Sequence, residues 1–66
     1  MRVTVRPYAH REAIVTIRPG LLARLLGARE RVDVVVGDSL GAWWWHTTGR
    51  RVEDKRIVRK IEERLT

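Results

Sequence analysis

Three consecutive tryptophans, Trp43, Trp44 and Trp45, adjoin His46 and are soon followed by Arg50 and Arg51. These residue types suit contact chemistry. An indole stacks on a base or fills a partner's pocket, and a guanidinium pairs with phosphate or carboxylate. Hydrolytic chemistry is poorly served by comparison. The chain has no cysteine, and its one serine, Ser39, sits among turn formers without a nucleophile-elbow motif. The acids occur singly or as adjacent pairs and form no evident acid/base dyad. A small basic ribonuclease would need His10 or His46 as base and arginines to clamp phosphate. No motif supports that arrangement, and each histidine reads more simply as a polar residue at a strand end. The T-T-G-R-R stretch lacks the spacing of a phosphate loop. We therefore expect a non-enzymatic protein with no cofactor.

Net charge is +6 with a pI near 11.3, and twelve of the fourteen Lys and Arg residues are arginine. A GC-rich genome accounts for arginine over lysine but not for the excess of cations over acids. That excess favours a polyanionic or acidic partner. The charge is uneven. Residues 1–31 carry seven cations and two acids, residues 50–66 carry seven and four, and the stretch between is slightly acidic.

Sixty-six residues allow one domain, spanning 1–66. A chain this short buries only about 60% of its unfolded surface and often needs a staple. Without cysteine, disulfides and thiolate metal sites are ruled out. The two histidines have no acidic neighbours at ligand spacing, which leaves a homodimer as the expected staple. No apolar run is long enough for a signal peptide or a membrane span, so a cytoplasmic location is expected.

The elements that would position these residues follow from periodicity. R-V-T-V-R (2–6) alternates as a strand and ends at Pro7, and E-A-I-V-T-I-R (12–18) is a second, hairpin-paired strand. Pro19-Gly20 stops it. L-L-A-R-L-L then has helical spacing at 21, 22, 25 and 26, closed by Gly27. R-V-D-V-V-V is a third strand, Gly37–Gly41 a turn, and the tryptophan run a fourth strand. The clearest helix follows, with Glu53 and Asp54 at its positive end and Ile57, Val58, Ile61 and Leu65 as its stripe; a cap at Glu53 would put Val52 and Ile57 at the staple positions. The order ββαββα implies an α+β sandwich, with both helices on one face of a mostly antiparallel four-stranded sheet.

Strand alternation decides the tryptophan question. Trp43 and Trp45 share a face and belong under the helices, in a chain with no phenylalanine and one tyrosine. Trp44 points the other way, with Ala42 and His46. It can pack on arginine stems, enter a homodimer interface, or contact a partner. The outward side of the first two strands would carry Arg2, Thr4 and Arg6, and Ile14, Thr16 and Arg18. On the last helix Arg56, Lys60 and Arg64 form a row, which is either a solvated flank or a phosphate-facing ridge.

Two readings result. In the first, the chain binds nucleic acid through Arg2, Arg6, Arg18, Trp44, His46, Arg50, Arg51, Arg56 and Lys60, electrostatically and with strong salt dependence. In the second, it is a protein-binding modulator of the phage or mobile-element kind, such as an inhibitor of a host defence nuclease, acting through a Trp/Arg interface. The first requires cations on one contiguous face. The second requires an apolar patch with a cationic rim.

Overall fold

The computed structural model describes residues 1–65. Its elements are β1 (Arg2–Ala9), β2 (Glu12–Arg18), α1 (Leu21–Leu25), β3 (Arg31–Gly37), β4 (Trp43–Trp45) and α2 (Lys55–Leu65). The four strands form one sheet in the order β1-β2-β3-β4, every pair antiparallel. The expected α+β class and element order are present.

One side of the sheet is the core. Val3, Val5, Ala13, Val15, Val35 and Trp43 point there and meet Ile57 and Ile61 of α2, with Val52 closing one end. Ile57, Ile61 and Leu65 recur every four residues, and Val58 lies beside them, so one stripe of α2 faces the sheet. Asp54 caps this helix: its Oδ1 accepts the Arg56 N–H at 2.9 Å. The cap is thus Asp54 and not Glu53, so Val52 and Ile57 do not stand at the staple positions. The shorter carboxylate reaches the second helical N–H more readily, as N-cap preferences reflect.

Three further departures bear on the site. Pro7 does not end β1, which continues to Ala9 through a register shift between Pro7 and Ala9. An edge strand tolerates proline because one side of its ladder is unpaired. Past β4 the chain turns back and pairs again: Trp45 N–H donates to Arg50 C=O at 2.8 Å, Val52 N–H donates to Trp43 C=O at 2.8 Å, and Arg51 bridges Trp44. This return covers the edge that β4 would otherwise expose. Finally, α1 does not join α2 on the sheet. It buries none of its residues. Gly27, at φ 100°, ends it in a Schellman arrangement, in which Ala28 N–H reaches Ala23 C=O at 2.9 Å. The chain from Pro19 to Glu30 therefore projects beyond the sheet, with the Arg18–Glu30 ion pair (2.9 Å) at its neck.

Gly37 shows how tightly the core is closed at the β3–β4 end. A Cβ there would lie 2.9 Å from Trp43 Cζ3 and 3.1 Å from Arg11 Nε. The Arg11 guanidinium lies 5.7 Å from the Trp43 ring centre and also donates to the Asp38 carbonyl, tying the β1–β2 turn to the end of β3. A domain of this size has roughly 3–10 kcal/mol of stability to lose. Gly37→Ala should cost about 1–3 kcal/mol by overpacking, and Trp43→Ala about 3–5 kcal/mol. Trp44→Ala should leave the unfolding free energy from urea titration within about 1 kcal/mol of wild type. A larger loss for Trp44→Ala than for Trp43→Ala would mean that the strand register is wrong by one residue.

Candidate docking face

The side of the sheet away from α2 has no covering element among the described residues. Its content follows from register. Arg2 pairs with Arg18, Thr4 with Thr16 and Arg6 with Ile14, and on the far side of β2 Thr16 pairs with Val32 and Ile14 with Val34. Glu12 pairs with Val36, Val36 with Trp44, and Trp44 with Arg51. His46 continues β4 opposite Val34, to whose carbonyl its N–H donates at 2.8 Å.

The polarity of β3 is opposite to what burial alone would select. In R-V-D-V-V-V, one alternating set is Val32, Val34 and Val36, and the other is Arg31, Asp33 and Val35. The all-valine set lies on the uncovered face, with Val32 59% exposed, whereas Asp33 is 7% exposed on the covered side. The register with β2 enforces this, because Ala13 and Val15 must face the core and they pair with Val35 and Asp33. Asp33 is half-satisfied, its buried Oδ2 accepting no hydrogen bond among the described residues. Its Oδ1 accepts the Val34 N–H and the Thr47 hydroxyl, both at 2.8 Å. Arg31 comes to 3.8 Å of Oδ2 while lying over the Trp45 ring at 5.0 Å.

The three tryptophans separate as alternation requires. Trp43 is 7% exposed in the core, Trp45 is partly buried against it, and Trp44 is 39% exposed on the opposite face. Trp44 is held in place there. Its Nε1–H donates to Asp38 Oδ2 at 2.9 Å, while Asp38 Oδ1 accepts the Leu40 and Ala42 N–H groups at 2.9 Å each. One carboxylate thereby fixes both the β3–β4 turn and the indole. The Trp44 bond is the main cause that holds the Asp38 carboxyl below its ordinary range, with the Ala42 N–H next.

The structure divides the residues singled out from sequence between two layers. Arg2, Arg6, Arg18, Trp44, His46 and Arg51 stand on the uncovered face or its rim. Arg50 alternates to the other side of its pairing segment, and Arg56 and Lys60 stand on α2. The α2 row is partly engaged within the chain, since Arg56 lies 3.6 Å from Asp54 and Arg64 donates to the Val5 carbonyl at 3.2 Å. Lys60 and Arg64 instead share a groove of about 240 Å³ with Arg6 along the outer edge of β1.

At strand spacings near 4.8 Å, Arg6 and Trp44 are separated by three strand intervals, about 14 Å across the sheet. Ile14, Val34 and Val36 occupy the space between. The face thus has an apolar centre with arginines at its margin. Sequence reasoning did not single out Val32, Val34, Val36 or Asp38, and the exposed Tyr8 at the β1 irregularity was also passed over. The available signal was the D-S-L-G-A spacing, which sets a turn carboxylate six residues before an indole.

Because the folded Asp38 carboxyl titrates below its unfolded value, its contribution to stability is fully present above about pH 4. It is lost as the pH falls through the depressed folded value. The difference between wild-type and Trp44→Phe emission spectra should therefore be constant from neutral pH to the ordinary carboxylate range and change only below it. A midpoint at or above the ordinary aspartate value would contradict the Asp38–Trp44 bond.

Against protein-family models, curated proteins and solved structures alike, the chain has no match.

Proposed function

We propose that this chain is a non-enzymatic binding protein that docks its uncovered sheet face on an acidic protein surface. The observation that carries the reading is the polarity of β3, which presents three valines to the open side and buries an aspartate instead. With Ile14 and Trp44 these valines supply the apolar centre of an interface, and Arg2, Arg6, Arg18 and Arg51 supply a cationic rim. A tryptophan pre-oriented by a hydrogen bond loses little freedom on binding, which suits it to be the energetic anchor. Arg2 and Arg18 oppose one another directly, a like-charge pair that costs stability and that an acidic partner would relieve. Arg18 is already half-satisfied by Glu30.

Nucleic-acid binding is the second reading, favoured by the +6 charge and by the four arginines around Trp44's face. It is weaker for two reasons. Aliphatic side chains offer bases no stacking platform, so Trp44 would carry that role nearly alone. The cations are also spread over both layers and do not line one contiguous face, as a tracked phosphate backbone requires.

Tryptophan emission during titration with mixed-sequence DNA and RNA oligonucleotides separates the two. The protein-docking reading predicts at most weak quenching at low salt that disappears at physiological ionic strength. Binding that persists at physiological salt and is abolished in Trp44→Phe would overturn it in favour of nucleic acid.

A further inference from the structure

We infer that the projecting α1 excursion is a self-association surface, and that its occupant is the same excursion of a second copy of this chain. This inference is independent of what binds the sheet face. Leu21, Leu22, Leu25 and Leu26 are 71–81% exposed, and α1 buries nothing against its own chain. Four leucines on two short turns form the most exposed apolar cluster of the molecule, while single exposed leucines are ordinary on a surface.

The size of the molecule argues for a partner there. A compact monomer of 7.7 kDa exposes about 4,300 Å², whereas this chain exposes 5302 Å². The surplus is about 1,000 Å², close to the roughly 800 Å² that each partner contributes to an ordinary stable interface. The radius of gyration is likewise 12.2 Å, against about 11 Å for a compact domain of this length. The longest dimension of 39 Å is nearly twice the other two, 22 and 19 Å. The elongation fits a chain whose α1 excursion buries nothing against the body formed by the sheet and α2.

A second copy is the occupant for two reasons. The cluster is purely aliphatic and complementary to itself, as a twofold contact requires, where each patch meets its own image. The chain also lacks the other staples of small domains. It has no cysteine, and no group of three or more His, Cys, Asp or Glu is set to hold a metal among the described residues. Arg24 and Arg29 at the margin of the patch would repel their copies, but such exposed charges are screened over about 8 Å at physiological salt. Association should therefore strengthen as salt rises, the reverse of contacts made through the arginines.

Sedimentation equilibrium on the full chain, with thermal melting at several concentrations, tests this. Wild type should weigh as a dimer and melt at higher temperature as concentration increases. Leu22→Gln with Leu25→Gln should weaken the dimer by about a hundredfold or more, since the two changes remove apolar contacts from both sides of a twofold interface. Its near-ultraviolet tryptophan signal should match wild type, because α1 does not touch the core. A wild type that stays monomeric at every concentration overturns the inference. So does a dimer indifferent to the leucine changes, or one broken by Trp44→Ala instead.

Discussion

One eleven-residue helix has to cover the apolar side of a four-stranded sheet. Three strand intervals span about 14 Å, more than the roughly 10–12 Å width of a helix with its side chains. The remaining width is filled by large residues at the sheet's end. Trp43 lies over Gly37, where any Cβ would collide with it, and Trp45 lies under Arg31. Ile17, Trp45 and Val58 remain only partly covered as a result. The core is therefore narrow and one-sided, and among the described residues no element covers the sheet's other face.

That one-sidedness explains the tryptophan run. Two adjacent positions of a strand cannot face the same side, so placing Trp43 and Trp45 in the core sends Trp44 outward. Asp38 then holds the outward ring by its N–H. A freely rotating surface indole would lose entropy on binding, whereas this one is already placed. The same parity turns the valines of β3 outward, because Ala13 and Val15 of β2 fix which residues of β3 share the core side. The buried Asp33 is the cost of this arrangement, and Thr47, Val34 and Arg31 limit it.

Much of this was legible in the sequence and some was not. Period-2 alternation located the strands and the faces of the three tryptophans, and the i, i+4 spacing located α2. The face of β3 was not legible, since the local pattern V-D-V-V-V favours burying the valines and only pairing with β2 decides otherwise. The detachment of α1 was equally hidden. Its leucines have helical spacing, but helical spacing does not say what an apolar stripe packs against. The return of residues 50–52 alongside β4 rests on a few backbone bonds beyond a turn, with no side-chain pattern to announce it. Of the adjacent Glu53 and Asp54 it is Asp54 that caps α2, and the N-cap preference for the shorter carboxylate was the signal for it. Of the candidate site, the arginines and Trp44 were visible as types, while their arrangement around an aliphatic centre emerged only with the sheet.

The uncovered face, with its valine centre and arginine rim, is the proposed meeting place of this chain with another protein. The most direct measurement places a photo-crosslinking amino acid at Val36 and irradiates the protein in its own cells, with the same probe at Glu63 on the helix layer as control. A discrete adduct should form from Val36 that survives nuclease, is destroyed by protease, is absent from Glu63 and weakens with Arg6→Glu. An adduct removed by nuclease, or equal labelling from the two positions, would contradict the proposal.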